Sequence, residues 1–198
     1  MVKRARKEEM KMFGEMGVYI YIKREEAEKD EDGTLIGVRW VDVAKNDLVR
    51  SRLVAQEFKI KGDRDDLFAG TPPLSAVKFL ISNLCSNGKD GIQDKRFMIL
   101  DVKRAFLYGN IEEPIYITLP DEDPKSKQGY VGRLVKAMYG TQSAPLIWQK
   151  LCKRVMESNG FESCITSPCC YFHPKRDIRV VTHVDDFACT GGLEDLVV

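Results

Sequence analysis

The segment "IRVVTHVDDFACTGG", residues 178–192, limits the fold more than any other stretch of the chain. Two apolar runs flank the adjacent carboxylates Asp185 and Asp186, which reads as an antiparallel hairpin carrying like charges at its tip. Tight hairpin turns favour Asn-Gly or Asp-Gly, because their central residues need positive φ. Asp-Asp makes such a turn poorly and holds a cation well. A third carboxylate, Asp101, closes the short apolar strand "RFMILDV". If that strand lies beside the hairpin, three carboxylates meet at one end of a sheet. Like charges near 4 Å cost roughly 4 kcal/mol at an effective dielectric of 20. Such a group holds either a proton or a divalent cation. All-oxygen ligands select Mg2+, with Mn2+ as the alternative, over zinc. The competing reading is a strand end plus a solvated turn, and spacing alone leaves both open.

The 198 residues, 43% hydrophobic and 31% charged, describe a globular chain of about one ordinary domain. A formal net charge of +1 gives no overall signature of nucleic-acid binding. Such binding would rest on the local Lys and Arg residues of 45–61 and 150–154. The six cysteines are irregularly spaced and follow no secretory signal, which points to reduced thiols in an intracellular protein. Cys164, Cys169, Cys170 and His173 lack the Cys-x-x-Cys pair of a zinc site. No apolar run approaches the roughly 18 residues of a membrane span, so no membrane partner is expected.

The opening "VKRARKEEMKM" reads as a solvated helix or frayed terminus, with a nuclear-localisation patch as the alternative. Val18, Ile20 and Ile22 alternate with Tyr19, Tyr21 and Lys23, and Asp32-Gly33 signals a turn, so residues 17–43 read as two strands around it. "LVRSRLVAQEF" adds a strand with Arg50 and Arg52 on one parity, Ser51 and Leu53 on the other. "GDRDDLFAGTPP" reads as a loop. Leu74, Val77, Leu80, Ile81 and Leu84 recur at helical spacing, with Asn87-Gly88 as the stop. "PIYITLP" is a further strand. "APLIWQKLCKRVMESNG" is the clearest helix, with Pro145 in its first turn, Asn159-Gly160 at its end and an apolar face of Ile147, Trp148, Leu151, Cys152 and Val155. The order predicts an α+β fold, an antiparallel sheet with helices packed on one face.

"RLVAQEF", "ILDVKRAFLYGNIEEPIYITLP", "KAMYGTQSAPLIWQKL" and "HVDDFACTGG" follow one another in that order. Together they resemble, motif by motif, the reverse transcriptase of copia-type long-terminal-repeat retrotransposons. The likeness covers residues 33–198, leaving 1–32 as an N-terminal extension with a first fingers strand. It implies a fingers–palm segment of a polyprotein, incomplete at its C-terminal side and ending before a thumb. The implied activity is an RNA-directed DNA polymerase, in which two-metal nucleotidyl transfer extends a primer 3′-hydroxyl. The resemblance further implies Mg2+ (or Mn2+) as cofactor, and deoxynucleoside triphosphates with primed RNA or DNA as partners. Neighbouring polyprotein domains such as integrase and ribonuclease H would be further partners, in cytoplasmic particles or the nucleus. The alternative is an inactive, truncated retroelement remnant with at most weak nucleic-acid binding.

By that likeness Asp101 and Asp185 would bridge the metal ions, with Asp186 assisting. Phe106 falls at the family's steric gate, where a ring leaves no room for a ribose 2′-hydroxyl; its other reading is a core phenylalanine. Arg52 falls where a guanidinium would meet the incoming triphosphate, and otherwise is an exposed strand arginine. Gly140 would serve the nucleotide site, while Gln56, Ala144 and Pro145 fall on the primer–template side. His183 stands where the family has a tyrosine near the primer end. By parity it would point with Asp185. Trp148 reads as packing between helix and sheet.

Overall fold

The computed structural model describes residues 1–46, 48–58, 67, 69–85 and 95–197. In chain order the first elements are α1 (Val2–Met16), β1 (Tyr19–Lys23), α2 (Arg24–Ala27), β2 (Thr34–Ile36), β3 (Val38–Lys45) and β4 (Leu48–Ala55). Next come α3 (Leu74–Cys85), β5 (Lys95–Asp101), β6 (Ile115–Thr118), β7 (Tyr130–Leu134) and α4 (Ala144–Ser158). The last are β8 (Glu162–Ser163), β9 (Cys170–His173), β10 (Ile178–His183), β11 (Asp186–Gly192) and α5 (Leu193–Leu196). They form two compact units, Met1–Leu67 with Phe106–Ile147, and Phe68–Ala105 with Trp148–Val198. The architecture is mixed α+β.

In the first unit β1, β7, β6 and β2 form a sheet in that order. β1–β7 and β7–β6 are antiparallel and β2–β6 is parallel. β3 and β4 make a separate antiparallel ribbon, Val38 opposite Ala55 through Lys45 opposite Leu48. Its parity is the expected one: Ser51, Leu53 and Ala55 are buried while Arg50 is exposed. α1 is a folded helix with Phe13 in a core of Val18, Leu53, Leu107, Ile117, Leu134 and Met138. Gly17 ends it at φ 61°, the left-handed cap that glycine takes without penalty.

In the second unit the sheet order is β5-β11-β10-β9-β8. Its core is Tyr171, Ile178, Val180 and Cys189, joined by Met98, Met156, Phe161, Phe187 and Leu196. The single sheet expected from the element order is thus replaced by three among the described residues. The two strands expected around Asp32-Gly33 both form but do not pair with each other. The charged stretch between them is taken up by α2 and by Asp30, which accepts a hydrogen bond from Tyr116 Oη at 2.7 Å. α4 spans the expected residues. Trp148 and Cys152 are buried and Met156 joins the core, whereas Val155 is exposed, so the inward stripe runs at i, i+4, i+8 from Trp148. The Asn87-Gly88 stop, Lys59 and Lys61, and half of the loop expected at 62–73 lie outside the described residues.

One charge cluster ties α1 to the β3–β4 ribbon. Arg6 donates to Asp42 at 2.7 Å and to Glu122 at 3.0 Å, and its guanidinium lies 5.2 Å from the Trp40 ring centre. Hydrogen bonds from Arg6, then from Ser51, hold the Asp42 carboxyl below the ordinary carboxylate range. A depressed carboxylate stabilises the fold above its unfolded pKa of about 4, and that contribution fades as pH falls through the folded value. Urea midpoints measured from pH 6 downward should therefore drop below about pH 4. Arg6→Met should lower the midpoint at pH 6 and flatten this acid limb; an unchanged limb would show that the cluster does not carry the acid dependence.

Candidate active site

The hairpin of β10 and β11 is built as the sequence suggests, with one change in where its turn falls. His183 pairs with Asp186, so the two central turn residues are Val184 and Asp185 rather than the two aspartates. Positive φ falls on Val184, at 56°, an unusual conformation for a β-branched residue. Strained backbone of this kind costs on the order of 1–3 kcal/mol and persists where surrounding contacts enforce it. Two contacts do so. Trp148 Nε1 donates to the Val184 carbonyl at 2.6 Å, and the Val102 amide donates to the Asp185 carbonyl at 2.9 Å.

β5 lies antiparallel to β11 with Asp101 opposite Asp186, and the ladder continues to Lys95 opposite Gly192. Residues so paired stand roughly 4.5–5.5 Å apart at Cα with side chains on one face. His183, Asp186 and Asp101 therefore form one cross-strand row, and the expectation that His183 follows Asp185 by parity is corrected by the intervening two-residue turn. Asp101, Asp186 and His183 are exposed and Asp185 is half-buried. Among the described residues no side chain bonds to or pairs with the three carboxylates. Like charges directly opposite in a ladder are destabilising, and no side chain among the described residues offsets them.

The donor chemistry suits a hard divalent ion. Among the described residues, however, no three His, Cys, Asp or Glu side chains converge closely enough to hold a metal on their own. Mg2+ is commonly held by one or two carboxylates, with water and substrate phosphates completing its octahedron. The Asp101–Asp186 pair with Asp185 at the tip fits that partial ligand set.

The other expected site residues belong to the first unit. Arg52, on β4, places its guanidinium 5.3 Å from the Tyr139 ring centre, and its Nε is buried without a hydrogen-bond partner among the described residues. Tyr139 in turn meets Phe106 edge-on, with ring centres 5.0 Å apart. Arg52 and Phe106, 54 positions apart in sequence, are thus joined through Tyr139, a residue that sequence reading passed over. Its position before Gly140 was the available signal. Gly140 has φ 89°, and a Cβ there would lie 2.0 Å from the Ala55 carbonyl oxygen. Its close approach is therefore to β4, where the Ala55 amide also donates to the Tyr139 carbonyl at 2.7 Å. Gln56 is half-buried, and its amide donates to the Gly37 carbonyl. Ala144 is 1% exposed and Pro145 half-buried, both at the start of α4.

Residues 25–197 match the family described as "Reverse transcriptase (RNA-dependent DNA polymerase)". The chain belongs to this reverse transcriptase family. It is 28% identical to the retrovirus-related Pol polyprotein from transposon TNT 1-94 of Nicotiana tabacum, over 98% of this chain and 15% of that protein. It is 24% identical to the Pol polyprotein from transposon RE1 of Arabidopsis thaliana, over 80% of this chain and 11% of that one. A putative transposon Ty5-1 protein of Saccharomyces cerevisiae is 32% identical across 44% of the chain. These relatives bear out the copia-type retrotransposon reverse transcriptase expected from the four motifs. The chain spans only a small part of the polyproteins it matches. Among the described residues no helix is long and apolar enough to cross a membrane.

The packing at Gly140 makes a direct prediction for this reverse transcriptase segment. Gly140→Ala should destabilise it by at least about 1–3 kcal/mol from backbone strain alone, with the Ala55 clash in addition. Circular dichroism melts check this; an unshifted midpoint would show that β4 does not need the close approach.

Proposed function

We propose that this chain is the part of a copia-type reverse transcriptase that carries its nucleotidyl-transfer site. The substrates are a deoxynucleoside triphosphate and the 3′-hydroxyl of a primer on an RNA or DNA template. The observation that supports this best is the in-register Asp101–Asp186 pair with Asp185 at the adjoining tip, in a chain of this family. Asp101, Asp185 and Asp186 would hold Mg2+ or Mn2+, which when bound neutralises phosphate charge and lowers the pKa of an attacking hydroxyl. The residues themselves supply carboxylate oxygens on neighbouring, in-register strand ends, which can close on the ions that accompany the triphosphate.

Arg52 binds triphosphate oxygens in this reading. Its buried, unpartnered Nε and its stacking on Tyr139 leave a directed guanidinium face for charge-assisted bonds. Phe106, braced by Tyr139, excludes a 2′-hydroxyl. Gly140 supports the nucleotide site by seating its segment on β4. Gln56, Ala144, Pro145 and His183 serve the primer–template side, with the buried Ala144 acting through packing. His183 shares the cross-strand row of Asp186 and can stack and donate there as an aromatic neighbour of the primer end.

Primer extension on an RNA template with Mg2+ tests this. Asp101→Asn and Asp185→Asn should each reduce incorporation to background, and extension that survives either change would refute the assignment. Phe106→Ala should raise ribonucleotide use relative to deoxyribonucleotide use, on the order of 10–100-fold. A second reading draws on the absence of a three-carboxylate metal cluster among the described residues: a remnant that binds nucleic acid weakly and incorporates nothing. Template-dependent incorporation by the wild-type chain excludes it.

A further inference from the structure

The helix residue Trp148 does more than fill space between α4 and the sheet. Its indole N–H meets the Val184 carbonyl at 2.6 Å, at the one non-glycine residue of the hairpin tip with positive φ. Trp148 is 8% exposed, so water competes little for that bond. The carbonyl it holds belongs to the peptide joining Val184 to Asp185, and the next carbonyl, that of Asp185, accepts the Val102 amide beside Asp101. Two successive carbonyls of the tip are thereby pinned from two elements. Valine alone would leave the left-handed region, and that rotation would turn the 184–185 peptide and swing the Asp185 carboxylate away.

We propose that Trp148 is a positioning residue for the nucleotidyl-transfer site, fixing Asp185 by holding Val184 in its left-handed conformation. The inference rests on the proposed metal-binding role of Asp101, Asp185 and Asp186. Trp148 touches no reacting atom and acts through the turn. Its requirement is for an N–H donor, which an aromatic ring of similar shape lacks, and the requirement exists because residue 184 carries a branched Cβ. Glycine at 184 adopts positive φ at no steric cost and should need the donor far less.

The test uses the full chain and amide NMR. The Val102 amide reports on the tip, because its acceptor is the Asp185 carbonyl. Trp148→Phe should accelerate Val102 hydrogen exchange roughly tenfold, the loss of one hydrogen bond, while the amides paired within β9–β10 keep their wild-type protection. Adding Val184→Gly to Trp148→Phe should restore most of the Val102 protection. Mn2+ should broaden the resonances flanking Asp101 and Asp185 in the wild type, and Trp148→Phe should require on the order of tenfold more Mn2+ for the same effect. Unchanged Val102 exchange, or loss of protection throughout the unit without rescue by Val184→Gly, would overturn the positioning role. No localised Mn2+ broadening in the wild type would overturn the metal-site reading itself, whatever Val102 shows.

Discussion

The pairing of β5 with β11 is the constraint on which the second unit's row of carboxylates depends. It sets Asp101 opposite Asp186 and runs for seven residue pairs, ending at Lys95 opposite Gly192. A slip of one residue would move Asp101 to the other face of the sheet and separate the carboxylates. The register is held from below: Met98 of β5 and Phe187 and Cys189 of β11 join the core with Tyr171, Ile178 and Val180. Burial pushes the Cys189 thiol up to about 11, so it stays neutral and behaves as one more apolar filler at physiological pH. Hydrophobic packing thus enforces a charge arrangement that the ladder by itself disfavours.

The first unit applies the same logic to an arginine. Leu53 and Ala55 are buried, and strand alternation then puts Arg52 on the opposite face of β4, against Tyr139. Gly140 lets its segment close on β4, which brings Tyr139 within reach of both Arg52 and Phe106. A cation over a ring and an edge-on ring pair are each modest interactions, of about 0.5–1.5 kcal/mol. Their value here is orientation: three side chains from distant parts of the sequence are fixed as a set.

The strand ends and the hairpin were legible because their signals are local. Alternation over 178–190, Asp101 at the close of an apolar run, and Pro145 with Gly160 around α4 need no knowledge of the rest of the chain. Parity also assigned Arg52 and Leu53 to their faces. What could not be read were the features that arise between elements. The two-residue turn that puts His183 with Asp186 depends on hairpin register, and a shift of one residue reverses the parity argument. Strands β1 and β2 read as a hairpin because Asp32-Gly33 is a good local turn, yet β7 and β6 lie between them in the sheet. Nor does sequence spacing show that Trp148 meets a carbonyl or that Tyr139 joins Arg52 to Phe106. Nor does strand spacing show how closely side chains converge: Asp101 and Asp186 face each other in register, while the described residues contain no complete three-ligand cluster.

The central claim is that the Asp101–Asp186 pair is an electrostatic cost relieved by a divalent ion. It is tested most directly by thermal unfolding of the wild type and Asp101→Asn, each in Mg2+ and in NaCl of equal ionic strength. Without Mg2+ the variant should be the more stable protein, by about 0.2–1 kcal/mol. With Mg2+ the wild type should gain a few degrees and the variant much less. Equal Mg2+ shifts in both proteins, or a variant less stable than the wild type in NaCl, would contradict the claim.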